Sequence, residues 1–173
     1  PVYKTVNSNN NFFDFQKVLS LVDNKKNRND LKSLEKMKNI DLKILSGDEL
    51  SSEDVLPTIT QELDEKQWNI LFFAGHSSSN MDNGSPIFYM KPDQPLTIER
   101  LKYALKKAIS QGLQLAIFNS CDGLGLAREL LKINMPKVIV MREDVPNEIA
   151  ELFLKYFLEF MTKGIPAFLA VRR

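Results

Sequence analysis

Residues 68–74 have the sequence WNILFFA, which is apolar on both faces of an extended chain. A strand of this kind is typical of the interior of a parallel sheet, because helices cover such a sheet on both sides. The stretch 113–118, LQLAIF, and the stretch 137–141, KVIVM, have the same character. These three segments therefore predict three buried strands of one sheet.

Segments with helical periodicity alternate with the strands along the chain. Thr97 can cap one helix, which stops at Gly112, and Pro146 suits the first turn of a long helix. The predicted helices cover residues 13–22, 29–38, 51–66, 97–111, 123–133 and 146–164, with another starting at Pro166. Further strands are expected at residues 2–6, 40–44 and 86–90. This alternation predicts an α/β fold in which helices cover both faces of a mostly parallel central sheet.

The amino-acid composition is that of an ordinary globular domain. The chain has 173 residues, 43% of them hydrophobic and 26% charged, which is enough for a single domain over residues 1–173 with a sizeable core. The formal net charge of +1 gives no general attraction to nucleic acid or to a membrane surface. The chain begins at Pro1 without an initiator Met and ends inside a helical pattern, so we expect it to be part of a longer polypeptide.

The chain has one Cys and one His, and no segment has the pattern of a signal peptide or the length of a membrane span. One Cys cannot form an internal disulfide, which favours a cytoplasmic location. A single Cys and a single His also leave no cluster with zinc-ligand spacing. Neither a metal nor another cofactor is therefore predicted.

These two residues, Cys121 and His76, each follow one of the predicted central strands within three residues. A parallel crossover returns both carboxyl ends to one edge of the sheet, where ligands and reacting groups gather. A thiol at neutral pH needs a base to become a good nucleophile, and an imidazole can take its proton. The spacing therefore predicts a cysteine nucleophile and a histidine base in one cleft.

The residues that follow these two predicted strands also have ordinary structural explanations. Cys121 fits as a small buried apolar side chain, and His76 fits as a hydrogen-bonded loop residue. Asp122 is better explained as a helix N-cap than as a catalytic group. Gly123 and Gly125 fit a tight turn and close packing. The position of the only Cys and the only His at two strand ends nevertheless favours the catalytic interpretation.

Residues 70–77, ILFFAGHS, and residues 115–123, LAIFNSCDG, resemble the His and Cys blocks of the caspase-like cysteine peptidases. Their separation is close to the one expected of caspases. The fuller similarity is to the CHAT domain family, caspase-like domains found alongside tetratricopeptide repeats. It covers most of the chain from Trp68 onward, in the segments 68–79, 112–127, 135–147 and 164–173.

The resemblance implies a three-layer caspase-like fold and a cysteine endopeptidase that cleaves proteins or peptides through an acyl-enzyme. Cys121 is then the nucleophile, and His76 is the general base and later the general acid. The backbone amides of Ser77 and Cys121 would form the oxyanion hole. Caspases have Gly after the His, whereas this chain has Gly75 before it. The resemblance also implies control by a tetratricopeptide or other regulatory region of a longer bacterial protein.

The resemblance marks candidate substrate-binding residues as well. In caspase-like enzymes, the residue two before the Cys and the loop after the next strand shape the pocket for the P1 side chain. These positions are Asn119, Arg142, Glu143 and Asp144. Glu143 or Asp144 would favour a basic P1 residue, whereas Arg142 would favour an acidic one. The residues alone leave the P1 preference open.

Two other functions are alternatives to a peptidase. A caspase-like binding or signalling module without proteolysis would contain the same residues without assembling them, and the Gly- and Ser-rich segment 75–85 has the composition of a mobile loop. A dinucleotide-binding unit would use Gly123 and Gly125 between a strand and a helix, with an acidic residue after the next strand. However, Arg128 stands where that motif needs Gly or Ala, so the peptidase interpretation is favoured.

Overall fold

The structure, a computed structural model, describes residues 16–79, 83–121, 123–141 and 145–171. The strands are, in chain order, β1 (Gln16–Val22), β2 (Ile40–Ser46), β3 (Ile70–Ala74), β4 (His76–Ser79), β5 (Pro86–Lys91), β6 (Gln94–Leu96), β7 (Leu115–Asn119) and β8 (Lys137–Val140). The α-helices are α1 (Lys25–Leu31), α2 (Val55–Glu65), α3 (Ile98–Ser110), α4 (Gly123–Lys132), α5 (Asn147–Thr162) and α6 (Ala167–Ala170). Short 3-10 turns cover Lys32–Lys36 and Gly47–Glu49. None of the helices in the described ranges has the length and apolar character needed to cross a bilayer.

Five strands form the central sheet in the order β2-β1-β3-β7-β8, and every neighbouring pair is parallel. The chain goes from β1 to β2 on one side of β1 and then crosses to β3 on the other side. The strand order reverses at this point. Ligands of open α/β sheets bind at the carboxyl ends of strands beside such a reversal. The ends of β1 and β3 are therefore the expected position of a site.

Helices cover both faces of the central sheet, and each face buries alternate side chains of the strands. On one face, Leu71 and Phe73 of β3 share a core with side chains from α2, α3 and α4. On the other face, Ile70 and Phe72 share a core with side chains from α1, α5 and α6. This three-layer α/β arrangement confirms the predicted fold class and is consistent with a caspase-like domain.

A second sheet contains three antiparallel strands in the order β4-β5-β6. Its residue Phe88, in β5, is buried against the central sheet. The Phe88 ring centroid lies 5.0 Å from that of Phe73 in β3 and 5.8 Å from that of Phe118 in β7. Aromatic pairs of this kind contribute about 0.5–1.5 kcal/mol each beyond the burial of their surface. The three rings therefore attach the small sheet to the central one and fix the position of β4, which begins at His76.

The helix predicted over residues 13–22 is wrong, because β1 occupies most of this segment. Its apolar residues Val18, Leu19, Leu21 and Val22 fit one face of a helix and also the two faces of a buried strand. All four are buried in the structure, since β1 lies between β2 and β3 with helices on both sides. Periodicity alone does not separate these two possibilities.

Three smaller expectations also need correction. Residues 76–79 lie in a segment predicted to be a loop, but they pair with β5 as β4. The strand predicted at 137–141 is β8, and it is only half-buried because it lies at the edge of the sheet, with Lys137 exposed. The helix predicted at 29–38 begins earlier, as α1, and continues as a 3-10 turn. The strand predicted at 2–6 lies outside the described residues. The other predicted helices and strands are confirmed to within a few residues.

Candidate active site

Three parallel strands end at one edge of the central sheet and bring the residues that follow them together. The register pairs Val22 with Ala74, and Ala74 with Asn119. The ladder continues one residue further on both sides of β3. The amide of Asp23 donates to the carbonyl of Ala74 at 3.2 Å. The amide of Gly75 donates to the carbonyl of Asn119 at 3.3 Å. The segments that follow β1, β3 and β7 are therefore held side by side.

A cleft of about 370 Å³ opens at this edge of the sheet. Both Cys121 and His76 line it, and Cys121 is exposed. The other lining residues are Asp23, Asn24, Asn27, Gly75, Asn119, Val145 and Pro146. The structure thus brings the only thiol and the only imidazole of the chain into one cleft, beside the reversal of strand order.

The imidazole of His76 contacts a carboxylate in this cleft. Its Nδ1 atom lies 2.9 Å from Oδ2 of Asp23. The side chain of Asp23 is 12% exposed, whereas the side chain of His76 is 85% exposed. A ring with this much exposure has little packing around it. The hydrogen bond to Asp23 is therefore what orients the imidazole.

Two amide side chains hold the other oxygen of the Asp23 carboxylate. Nδ2 of Asn24 and Nδ2 of Asn27 each donate to Oδ1 of Asp23 at 2.7 Å. Oδ1 of Asn24 also accepts from the backbone amide of Asn27 at 2.9 Å. Asn27 is buried, so this turn is held in place by the protein around it. The turn after β1 and the first residues of α1 therefore set the orientation of the carboxylate.

Gly75 allows the close approach of the residues around His76. A Cβ atom at position 75 would lie 2.9 Å from Cζ of Phe73. It would also lie 3.0 Å from Cβ and 3.1 Å from Cγ of Asp23. A side chain at this position would displace the Phe73 ring or the Asp23 carboxylate. The glycine before the His therefore has a packing role in this chain.

A second cleft, of about 480 Å³, shares Asp23, Asn24 and His76 with the first. Its other lining residues are Asp48, Tyr89, Met90, Lys91 and Pro92. Nζ of Lys91 donates to the backbone carbonyls of Gly47 and Leu50 at 3.1 and 3.2 Å, which engages this cation in the turn after β2. The His76 ring and the Asp23 carboxylate therefore face both clefts.

The structure describes only some of the candidate substrate-binding and oxyanion residues. Asn119 lines the first cleft and is 5% exposed. Ser77, a candidate oxyanion donor, lies in β4 and pairs with Phe88 of β5. The remaining three candidates lie outside the described residues, and they are Arg142, Glu143 and Asp144.

Asp23 is the residue of this site that the sequence analysis missed. Its signal was present, because an Asp-Asn pair directly follows the apolar segment 18–22. Polar residues at the end of a buried strand are candidates for a site in a parallel sheet. Because that segment was interpreted as a helix, Asp23 was not recognised as a residue at the end of a strand.

Gly123, a candidate phosphate-binding residue near the cleft, has a packing explanation in the structure. Gly123 is buried at the start of α4, where a Cβ atom would lie 2.8 Å from Cβ of Val140 and 3.0 Å from the carbonyl oxygen of Met141. This close helix–strand packing accounts for Gly123 without a dinucleotide. Asp122, expected as the N-cap of α4, lies outside the described residues. Within the part of the chain that the structure describes, no three His, Cys, Asp or Glu side chains are grouped to hold a metal ion.

The fold and the cleft define a caspase-like α/β domain, in which helices enclose a parallel sheet and a Cys and a His follow two neighbouring strands. The family model described as CHAT domain matches residues 6–173, so the chain belongs to the CHAT domain family. This family is caspase-like and related to peptidases. No curated protein matches the chain.

Proposed function

We propose that this chain is a caspase-like cysteine endopeptidase in which Cys121 is the nucleophile and His76 is the general base and acid. The observation that carries the proposal is the single cleft lined by both residues. The cleft lies at the carboxyl ends of β3 and β7, beside the reversal of strand order. Membership of the CHAT domain family supports the same chemistry.

The first half of the proposed reaction forms an acyl-enzyme. A ring nitrogen of His76 takes the proton of the Cys121 thiol, and the sulfur attacks the carbonyl carbon of the scissile peptide bond. The backbone amides of Cys121 and Ser77 are the proposed donors to the oxyanion of the tetrahedral intermediate. The carbon–nitrogen bond then breaks, and the leaving amine takes the proton from His76. The product is a thioester on Cys121.

The second half of the reaction releases the acyl group. His76 takes a proton from a water molecule, whose oxygen attacks the thioester carbonyl. The carbon–sulfur bond breaks, and the proton on His76 returns to the sulfur. Both side chains therefore end in their starting state, and the sequence of steps uses no cofactor.

Substrate selection is proposed to depend on residues around the nucleophile. Asn119 contributes a neutral amide to the cleft, whereas the loop residues Arg142, Glu143 and Asp144 are the proposed charged contacts of the P1 side chain. A peptide series that differs only at P1, with Lys or Arg compared with Asp or Glu, tests these residues. A preference for basic P1 would favour Glu143 or Asp144, and a preference for acidic P1 would favour Arg142.

Control by a neighbouring region or partner is also part of the proposal. The His76 side chain is 85% exposed, and the cleft around it is open to solvent. A tetratricopeptide or other regulatory region that covers this edge of the sheet would exclude water and hold the substrate. We expect this control to operate in the cytoplasm, where the thiol remains reduced.

The test is digestion of an unfolded protein substrate such as casein, both by this chain and by the longer protein that we propose contains it together with a regulatory region. Cys121→Ala should abolish cleavage, because the sulfur forms the covalent intermediate. Ser78→Ala is the matched control, since Ser78 lies in β4 beside the site and has no proposed role. Cys121 is the only cysteine of this chain, so a thiol-directed peptide label on this chain also reports on this site alone.

The outcomes of this test separate the proposed functions. Cleavage by Cys121→Ala at the rate of the parent would reject the peptidase proposal. Labelling and cleavage by the longer protein, but not by this chain, would support a peptidase that needs its regulatory region. Peptide binding without cleavage by either protein would identify a caspase-like binding module instead.

A further inference from the structure

We propose that Asp23 is a positioning residue of this site, which fixes His76 in the tautomer that has its proton on Nδ1. The Nε2 atom is then the one that accepts the proton of Cys121. This inference rests on the proposed function, but its first test needs no peptidase activity. It adds a third side chain to the Cys–His pair.

The contact between Asp23 and His76 determines which ring nitrogen is protonated. An ionised carboxylate accepts hydrogen bonds and cannot donate them, so the Nδ1 atom that lies 2.9 Å from Oδ2 must be the donor. A neutral imidazole has only one N–H group, and its other nitrogen is an acceptor. Nε2 is therefore the nitrogen that is free to act as a base towards Cys121, which lines the same cleft.

The carboxylate itself is oriented by its two amide neighbours. Both amide donors, Asn24 and Asn27, bond to the same oxygen, Oδ1, and they leave Oδ2 for His76. The Asp23 side chain is only 12% exposed, so few water molecules compete for these contacts. The protein therefore presents one defined oxygen to the imidazole.

This arrangement makes a specific prediction for Asp23→Asn. The Asn24 and Asn27 amides need an acceptor, so the carbonyl oxygen of the new side chain should take the place of Oδ1. Its NH2 group then faces His76 and donates to Nδ1. Nδ1 must become the acceptor, which moves the proton to Nε2. A nearly isosteric change therefore reverses the tautomer and blocks the base.

The first experiment measures the tautomer directly. Because the chain has one His, ¹⁵N NMR of ¹⁵N-His-labelled protein gives a single imidazole to assign. A Cys121→Ser background removes the acidic thiol proton and allows the neutral ring to be observed. We expect the proton on Nδ1 in this parent and on Nε2 after Asp23→Asn. Asp48→Asn is the matched control, because Asp48 lines the second cleft but bonds to the Lys25 amide, and it should keep the parent tautomer.

Several results would overturn the proposal. One is a proton on Nε2 in the parent, a measurement that does not depend on whether any Asp23 variant folds. Another is an unchanged tautomer in a folded Asp23→Asn protein. A third is the same tautomer shift in Asp48→Asn, because the effect would then follow from loss of charge rather than from the contact.

The second experiment asks how the tautomer affects the reaction. Asp23→Asn should lower kcat on the order of 10²–10⁴-fold, with little change in KM, for substrates with any P1 residue. A loss confined to KM and to substrates with a cationic P1 would show that Asp23 binds substrate, and it would reject the positioning role. If neither this chain nor the longer protein has peptidase activity, the proposed function fails, whereas the NMR result still decides whether Asp23 sets the tautomer.

Discussion

The central strands and the residues that follow them differ greatly in burial. Every residue of β3 and β7 is buried, yet His76 and Cys121, two residues beyond the ends of these strands, are exposed. The strands are held by packing on both faces, whereas the His76 ring is oriented by a hydrogen bond. The core therefore determines where the site lies, and polar contacts determine how its groups point. Substitutions in the two regions should separate stability from activity.

The substitution that tests this comparison most directly is His76→Ala. We expect the rate of protein cleavage to fall on the order of 10²–10⁴-fold, because the general base and acid is removed. The free energy of unfolding should change by no more than about 0.5 kcal/mol, since the exposed ring has little packing to lose. Digestion assays and urea unfolding measure the two effects. A large loss of stability would mean that the imidazole is part of the core.

The opposite behaviour is expected at the aromatic contact between the two sheets. Phe88→Ala should lower the free energy of unfolding by about 3–5 kcal/mol, because a buried ring is removed from the Phe73–Phe88–Phe118 cluster. It should also lower the activity of the folded fraction, since β4 and His76 are attached through this ring. Urea unfolding gives the stability, and cleavage rates corrected for the folded fraction give the activity.

Phe157→Ala is the matched control for this prediction. Phe157 is as buried as Phe88, at 1% exposure, but it lies in α5 and packs on the other face of the sheet. We expect a similar loss of stability with little change in the activity of the folded fraction. Equal losses of specific activity in the two variants would show that the small sheet does not position His76.

The sequence predicted the layers of the fold because local patterns determine them. The runs at 70–74 and 115–119 are apolar on both faces, and such strands need helices on both sides. The segment 18–22 was misassigned, since four apolar residues in five positions satisfy both a helix and a buried strand. Strand β4 was missed because Ser-rich segments have little β-propensity and its pairing with β5 is a non-local contact.

The site was predictable only in part, for a related physical reason. The cleft that contains Cys121 and His76 was expected from the strands that precede them. The contribution of Asp23 was not, because it depends on β1 lying beside β3, and the order of strands in a sheet is not written in any one segment. The hydrogen bonds that Asn24 and Asn27 donate to Asp23 depend on the same strand end. Recognition of residues 16–22 as a strand would have marked Asp23 and Asn24 as strand-end candidates, but their place beside His76 follows only from the order of the strands.

A smaller effect is expected where the core and the site meet, at Gly75. Gly75→Ala should lower the free energy of unfolding by about 1–3 kcal/mol, because the added methyl group is too close to Phe73 and to Asp23. The displaced carboxylate should also lower cleavage per folded molecule. Urea unfolding and cleavage assays on the same samples measure both.

A second glycine gives the control for Gly75. Gly112 has a φ of 119°, and a Cβ atom added there would meet nothing within 4 Å, so Gly112→Ala strains the backbone without touching the site. This substitution should lower the free energy of unfolding by about 1–3 kcal/mol, and the activity of the folded fraction should be unchanged. If Gly75→Ala is destabilised to the same extent but fully active, the close approach to Asp23 has no role in the site.

The smallest effect on stability is expected for an exposed ion pair. Nζ of Lys26 in α1 lies 3.1 Å from Oε1 of Glu148 in α5. A backbone hydrogen bond, and then Lys26, hold the pKa of Glu148 below its ordinary value. A carboxylate with a lowered folded-state pKa stabilises the fold above its ordinary pKa, and this contribution is lost as the pH falls through the folded-state value. Lys26→Gln should therefore lower Tm slightly at about pH 7, and the difference from the parent should shrink towards about pH 2.

Lys26→Arg should keep the parent behaviour, and cleavage rates should stay unchanged in both variants. An equal Tm difference at both pH values would mean that Lys26 acts through packing of its aliphatic stem and not through its charge.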